Sequence, residues 1–181
     1  NGTIVYDLIV PRDILPEGKV ADIELGVPVE INIENSIAAA AATLLTGDVT
    51  PDDLRTAIAS FMGPKRRFEF HLREKGEHGR VIIDDYAHHP DELKASISSV
   101  KALYPDRRLT VAFQPHLYTR TRDFAPQFAE ALSLADEVVL LDIYPAREEP
   151  IPGVTSKIIF DKISCKEKHL ISKQLLTKTI K

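Results

Sequence analysis

The sequence lacks the features that define several large classes of protein. Its 181 residues include one cysteine, Cys165, which excludes an internal disulfide framework and is typical of a reducing cytoplasm. No apolar run approaches the roughly 18 residues that a membrane-spanning helix needs, and no signal peptide opens the chain. A net charge of -4 gives no global field that would attract nucleic acid. We therefore expect a cytoplasmic protein that binds neither nucleic acid nor membranes.

Two common catalytic patterns are missing as well. The sequence contains no Gly-rich phosphate loop of the G-x-x-x-x-G-K-[ST] type. Cys165 stands in a Lys-rich tail, away from the candidate His residues, which excludes a Cys/His nucleophile, and no Ser/His/Asp constellation is plausible.

The chain begins with Asn1 instead of Met, and residues 157–181 show no closing strand. We therefore expect a piece of a longer protein that is truncated at its C-terminal end.

Residues 1–63 have the pattern of a small α/β unit. Two strand patterns precede two helix patterns, and Thr50 and Pro51 suit the cap and the first position of the second helix. The predicted elements are strands over 3–10 and 20–25 and helices over 35–45 and from Pro51. Gly63 and Pro64 then break the pattern. We interpret this unit as the C-terminal part of an upstream domain.

Residues 64–181 follow a different pattern, in which strands alternate with helices at roughly 30-residue spacing, as in βαβ units. The β-branched run 81–83 suits a strand that is buried on both faces of a parallel sheet. The predicted elements are strands over 67–73, 81–83, 109–113 and 137–143 and helices from Pro90 and from about Arg122. The sequence therefore predicts an α/β fold with a Rossmann-like, doubly wound and mostly parallel sheet.

Three loops that follow these strands are rich in functional side chains. They cover residues 84–89, 114–121 and 142–152. Ligands bind beyond the carboxyl ends of parallel strands, so we expect the three loops to converge at one edge of the sheet. His88 and His89 together with His116 suggest zinc, although adjacent His side chains point in different directions. Hydrogen bonding near a phosphate or carboxylate is the alternative, and we predict no metal ligands in this chain.

The charged side chains near these loops each have two interpretations. Asp85 stands at the ligand edge of a predicted central strand, which favours a functional carboxylate over loop hydration, whereas Asp84 is open to either. The guanidinium groups of Arg120 and Arg122 suit a carboxylate or phosphate, or belong to a solvated basic loop. The run 65–67 is either a solvated face or one side of a nucleotide clamp between domains.

Asn32 and Asn35 stand three positions apart at the start of a predicted helix. One of the two side chains can cap that helix. An amide can also orient a phosphate or a metal-bound water, and the sequence leaves both roles open.

Together these motifs resemble the Mur ligase family. The segments that carry the resemblance are 25–28, 32–35, 63–69, 84–90, 114–121 and 142–146. The double His, the Gln-Pro-His-x-Tyr-Thr-Arg-Thr run and the Asp-Ile-Tyr-Pro-Ala run are similar to the family's L-alanine-adding branch. The resemblance implies an ATP- and Mg²⁺-dependent enzyme of peptidoglycan precursor synthesis, with the metal ligands outside this chain. Its substrates would be UDP-N-acetylmuramate and L-alanine, joined through an acyl phosphate.

The resemblance also implies two groups of site residues. The ATP-binding group is Asn32, Asn35, Arg67 and Asp85, of which Arg67 and Asp85 are also implied to be catalytic. The substrate-binding group is Tyr86, His88, His116 and Arg120. Two positions depart from the family's pattern, because Ile31 stands where a His is usual and Leu117 where a second Arg is common. Arg120 is therefore the better candidate for a carboxylate partner.

Three rival interpretations stay open. A muropeptide-recycling ligase of the same fold has a run similar to 84–90, and a non-catalytic nucleotide- or phosphate-binding α/β module would use the same loops. A metal-dependent hydrolase would use Asp84, His88, His89 and His116. We expect the 181-residue chain alone to ligate nothing and to bind ATP poorly. A truncated sheet edge would also favour self-association.

Overall fold

The computed structural model describes residues 3–76 and 78–179. The chain divides into two compact units, Asn1–Tyr86 and Ala87–Lys181. The domain boundary that the sequence predicts, between residues 63 and 64, remains a prediction.

The first unit contains two antiparallel strand pairs and two helices. β1 (Val5–Ile9) pairs with β2 (Lys19–Glu24), and α1 (Glu30–Leu44) and α2 (Pro51–Ser60) follow. β3 (Glu69–Arg73) pairs with β4 (Val81–Asp84). The buried core consists of Val10, Leu15, Val20, Ile23, Ala40, Leu44 and Leu54. Most of these side chains come from β2, α1 and α2, and Val10 and Leu15 come from the β1–β2 connection. The α/β character predicted for residues 1–63 is confirmed.

The start of α2 follows the predicted capping chemistry. The Asp53 backbone N–H donates to the Thr50 hydroxyl at 3.2 Å, and the Thr50 backbone N–H donates to the Asp53 carboxylate at 3.1 Å. This reciprocal capping box satisfies two donors that have no partner inside the helix. Pro51 occupies the first helical turn, where its missing N–H costs nothing.

α1 begins earlier than the sequence predicts. Its cap residue is Val29, and Asn32 and Asn35 lie inside the helix, so the suggestion that either amide caps it is wrong. Burial of Val27 and Val29 fixes the chain just before the helix, and this packing outweighs the local preference for a polar cap. The Asn32 amide instead donates to the Val27 carbonyl at 3.1 Å.

The prediction that residues 81–83 form a strand of the parallel sheet is wrong. β4 pairs antiparallel with β3, with Glu69 opposite Asp84 and Arg73 opposite Val81. Ile82 is 53% exposed, so the β-branched run is not buried on both faces. The connection between the two strands is short, and a short connection permits an antiparallel pair but not a parallel crossover.

The second unit is a three-stranded parallel sheet with connecting helices. Its elements are α3 (Pro90–Leu103), β5 (Thr110–Phe113), α4 (Tyr118–Leu132), β6 (Glu137–Leu141), α5 (Lys157–Phe160), β7 (Glu167–Ile171) and α6 (Leu176–Thr179). The strand order is β5-β6-β7, and both pairings are parallel. The core packs Leu93 and Ile97 of α3 and Phe128 and Leu132 of α4 with the buried strand β6. The prediction of an α/β fold with a parallel sheet is confirmed.

The prediction that residues 157–181 contribute no strand is also wrong. β7 pairs with the whole length of β6, from Glu137 opposite Glu167 to Leu141 opposite Ile171. The strand is largely exposed, and its Glu, Lys and His side chains hide the strand pattern in the sequence. Such charged residues are typical of an edge strand. Self-association through a sheet edge stays a prediction.

Candidate functional site

Two of the three predicted loops converge beyond the carboxyl ends of β5 and β6. The Leu117 backbone N–H donates to the Tyr144 carbonyl at 2.9 Å, and the Tyr144 N–H donates to the Pro115 carbonyl at 2.8 Å. The rings of His116 and Tyr144 lie 5.4 Å apart between centroids. The side chain of Gln114 adds a hydrogen bond to the Asp142 carbonyl at 3.2 Å. Residues 114–121 and 142–148 therefore form one framework.

Leu117 gives the first of these loops its sharp turn into α4. Its backbone has φ 74° and ψ 137°, a conformation that residues with a β-carbon rarely adopt. Such a conformation costs about 1–3 kcal/mol and persists only where surrounding contacts impose it. The buried Thr121 hydroxyl donates to the Leu117 carbonyl at 2.7 Å, which ties this residue to the first turn of the helix. The turn places His116 before α4 and Arg120 within its first turn.

Glu148 contacts the second loop at the start of α4, and its residue type and position did not single it out in the sequence. Its carboxylate accepts hydrogen bonds from the Thr119 backbone N–H, at 3.0 Å, and from the Thr119 hydroxyl. These two bonds, the hydroxyl first, hold the pKa of Glu148 below its ordinary value. One clue to Glu148 is that Leu117, the residue at the cap position of α4, has no side chain that can accept a hydrogen bond. The first N–H groups of the helix have no partner inside it, so they need an acceptor from another part of the chain.

His116 and Arg120 each carry a buried side-chain nitrogen. Among the described residues, neither His116 Nδ1 nor Arg120 Nη1 has a hydrogen-bond partner. Burial lowers the pKa of His116, and the charges of Arg120 and His88 lower it further, whereas Glu148 opposes the shift. The lowered pKa favours the neutral form of His116. A neutral imidazole beside an uncommitted guanidinium can receive a ligand that carries an anionic group.

His88 and His89 are largely engaged in starting α3. The His89 ring accepts a hydrogen bond from the Asp91 N–H at 3.5 Å and packs on Phe124, with ring centroids 5.0 Å apart. His88 Nδ1 lies 3.3 Å from the Glu92 carboxylate, which also accepts from the His88 N–H at 3.0 Å. His88 nonetheless lies near enough to His116 to lower its pKa. The structure thus brings His88, His116 and Arg120 together within the second unit.

Arg122, the other guanidinium of the second loop, faces outward. Its side chain is 52% exposed, and its Nε donates to the Asp123 carboxylate at 2.7 Å. Of the two interpretations of Arg122, these contacts fit the solvated one.

The remaining candidates belong to the first unit. The Arg66 and Arg67 guanidinium carbons lie 5.1 Å and 5.6 Å from the ring centroid of Tyr86. The Tyr86 N–H donates to the Arg66 carbonyl at 2.7 Å, which joins this segment to the end of β4. Within the described residues, Arg67 has no hydrogen-bond or ion-pair partner. The half-buried carboxylate of Asp85 has none there either.

Asn32 and Asn35 form a linked pair on α1. The Asn35 amide donates to the Asn32 side-chain oxygen at 3.3 Å, while the Asn32 amide is bound to the Val27 carbonyl. Asn35 is exposed and Asn32 is half-buried. The side-chain oxygen of Asn35 therefore remains available as an acceptor.

Two groups of His and carboxylate side chains have metal-like spacing among the described residues. They are Glu69, His71 and Asp84, and Glu137, Glu167 and His169. Neither group contains His88, His89 or His116, the residues on which the hydrolase interpretation depends. An arginine enters each group, since Arg66 lies 3.3 Å from Asp84 and Arg108 lies 3.1 Å from Glu137. We interpret both groups as surface ion-pair networks.

In the part of the chain that the structure describes, no helix has the length and apolar character needed to cross a membrane.

Comparison with known proteins identifies the family. The family model for "Mur ligase, glutamate ligase domain" matches residues 66–179. A UDP-N-acetylmuramate–L-alanine ligase of Parabacteroides distasonis is 57% identical over 176 residues, which are 97% of this chain and 36% of that protein. The chain thus spans a little over a third of the length of the curated relatives it matches.

Solved structures agree with this result. The crystal structure of a UDP-N-acetylmuramate–alanine ligase from Thermotoga maritima aligns with a TM-score of 0.71 at 32% identity, covering 88% of this chain and 34% of that one. A folylpolyglutamate synthase from the same organism aligns with a TM-score of 0.67 at 17% identity, covering 91% of this chain and 37% of that one, and shares the fold. The chain belongs to the Mur ligase family.

Proposed function

We propose that this chain is part of an ATP-dependent ligase that joins L-alanine to UDP-N-acetylmuramate during peptidoglycan precursor synthesis in the cytoplasm. The observation that carries the proposal is the 57% identity to a ligase of that name over 97% of the chain. In this reaction ATP supplies the phosphoryl group that activates the sugar carboxylate as an acyl phosphate, and the L-alanine amine then displaces phosphate.

The His116 and Arg120 nitrogens support a role for the second unit in holding the amino acid or the acyl phosphate. Arg120 offers a planar donor group, which suits a carboxylate or a phosphate oxygen. Its buried Nη1 has no partner among the described residues, so a ligand oxygen would satisfy a donor that is otherwise unpaired. The lowered pKa of His116 favours the neutral imidazole, which can accept a hydrogen bond from an ammonium group, whereas a protonated imidazole cannot. His88 stands beside them as a further polar contact.

The first unit offers a nucleotide one donor and one acceptor, and neither has a hydrogen-bond or ion-pair partner among the described residues. Arg67 can pair with a phosphate, and the Asp85 carboxylate can accept hydrogen bonds from hydroxyl groups. The Tyr86 ring lies within cation–π distance of both the Arg66 and Arg67 guanidinium groups. The Asn32–Asn35 pair offers amide groups of the kind that orient phosphate. The proposal assigns Mg²⁺ to ligands outside this chain.

The test uses the full-length ligase that contains this chain. We expect phosphate release that requires both UDP-N-acetylmuramate and L-alanine, with a product whose mass equals the two joined minus water. An assay with a tripeptide in place of L-alanine tests the recycling-ligase interpretation. Turnover with the tripeptide but not with L-alanine would contradict our proposal. The 181-residue chain by itself is predicted to release no phosphate from ATP.

A further inference from the structure

The loop after β6 contains a carboxylate, Glu148, that contacts the start of α4. We propose that Glu148 is a positioning residue that holds His116 and Arg120 in the geometry that receives the amino-acid substrate. This inference rests on the proposed function, because it assigns a task within the same site.

The hydrogen bonds of Glu148 replace the missing cap of α4. The first N–H groups of a helix have no partner inside it, and the residue at the cap position, Leu117, has an apolar side chain. Glu148, 29 positions further along the chain than Thr119, accepts from both the backbone and the hydroxyl of Thr119. A negative charge is also favourable at the positive end of the helix dipole. The start of α4 therefore depends on the loop after β6.

The loop after β6 also stabilises the unusual backbone conformation of Leu117. The Tyr144 carbonyl accepts the Leu117 N–H at 2.9 Å, and Glu148 anchors the residues that follow. The Glu148 N–H in turn donates to the Pro145 carbonyl at 2.9 Å, which folds the loop into a compact turn. A disfavoured backbone at Leu117 relaxes when such contacts are lost. Relaxation would move His116 and Arg120, which lie on either side of it.

Glu148 stabilises this arrangement without neutralising Arg120. Within the described residues no ion pair joins the two side chains, and the Glu148 oxygens accept hydrogen bonds from Thr119. The Arg120 charge still helps to lower the pKa of Glu148, although less than the Thr119 bonds do. The guanidinium therefore stays available for a ligand. A residue that holds the helix and leaves its cation free has the properties of a positioning residue.

The kinetic experiment compares Glu148→Ala, Glu148→Gln and Glu149→Ala in the full-length ligase. Losing hydrogen bonds to a charged group should raise the KM for L-alanine about 10- to 100-fold in Glu148→Ala, with the KM for ATP nearly unchanged. Glutamine still accepts from the Thr119 N–H and can donate to its hydroxyl, so Glu148→Gln should stay within about three-fold of the wild type. Glu149 is exposed and has no polar contact among the described residues, so Glu149→Ala is the matched control.

A second measurement does not depend on ligase activity. Amide hydrogen exchange in residues 118–121 should become about ten-fold faster or more in Glu148→Ala, since local opening loses its opposing bonds. Glu148→Gln and Glu149→Ala should exchange like the wild type. If the wild-type enzyme does not use L-alanine, the proposed function fails while the exchange result still decides whether Glu148 holds the helix.

Three results would overturn the inference. The first is an unchanged KM for L-alanine in a folded Glu148→Ala enzyme. The second is an equal rise in KM for all substrates together with a lower Tm, which indicates a general structural role. The third is a Glu148→Gln enzyme as impaired as Glu148→Ala, which indicates that the charge acts and not the capping. If Glu148→Ala fails to fold, Thr119→Val removes the hydroxyl contact alone and should raise the same KM by a smaller factor; an unchanged KM there also counts against the inference.

Discussion

Replacing Arg120 by Met should weaken the enzyme and leave the fold intact or more stable. Met fills a similar volume to the aliphatic part of Arg but has no guanidinium. Arg120 Nη1 is buried without a partner among the described residues, so the free protein carries the desolvation cost of that group. The substitution removes this cost, and it also removes the donor that we assign to the substrate.

The two effects can be given magnitudes. A buried unsatisfied donor costs about 1–3 kcal/mol, and Arg120 as a whole is only half-buried, so the low end of this range applies. We expect the free energy of unfolding to rise by about 1 kcal/mol in Arg120→Met. A hydrogen bond to a charged group contributes about 1.5–3 kcal/mol, so kcat/KM for L-alanine should fall about 10- to 150-fold.

Urea unfolding of the 181-residue chain and steady-state kinetics of the full-length ligase measure these effects separately. The chain supplies a matched control in Arg122, which is 52% exposed and paired with Asp123. Arg122→Met should leave both the unfolding free energy and kcat/KM nearly unaltered. Destabilisation of Arg120→Met by more than about 1 kcal/mol would refute the argument, because it would mean that Arg120 supports the fold. Unchanged kcat/KM would remove Arg120 from the site.

Three further predictions concern other parts of the molecule. Asp85→Asn should lower kcat/KM for ATP by about ten-fold or more, because an amide oxygen is a weaker acceptor than a carboxylate. Kinetics equal to those of the wild type would exclude Asp85 from nucleotide binding. Phe128→Ala should reduce the unfolding free energy by about 3–5 kcal/mol, against less than about 1 kcal/mol for the partly exposed Leu134→Ala, by urea unfolding. The pKa of His116 is lowered in the folded state, so protons bind preferentially to the unfolded chain as pH falls below about 6.5. His116→Gln should therefore lose less stability than the wild type between pH 7 and pH 5 in thermal melts, and parallel curves would contradict this.

Part of the fold follows from local chemistry that the sequence displays directly. Thr50-Pro51-Asp52-Asp53 contains every group of a capping box, so the start of α2 is set by residues that are neighbours in the chain. β6 could also be predicted from the sequence, because its apolar run is the pattern of a buried strand, and the strand is buried along nearly its whole length. The convergence of residues 114–121 and 142–148 follows from the rule that parallel strands end at the same edge.

Other features depend on partners that are distant in the chain. β4 is a different case, since it has the composition of a buried parallel strand and pairs antiparallel with its close neighbour β3 through a short connection. β7 is rich in charge and becomes a strand because the edge of β6 offers its backbone hydrogen bonds. The early start of α1 depends on the burial of Val27 and Val29.

Motifs, caps and apolar periodicity are local properties, so the family, the parallel α/β fold and the loops of the candidate site could be predicted from the residues alone. Which side chains of those loops already have hydrogen-bond partners is visible only in three dimensions. The folded chain places Glu148 at the start of α4 and His89 at the start of α3, and among the described residues it leaves one nitrogen each of His116 and Arg120 buried and unpaired. The physical reason is that hydrogen-bond satisfaction depends on distances between groups far apart in the chain, which residue types and spacing do not specify.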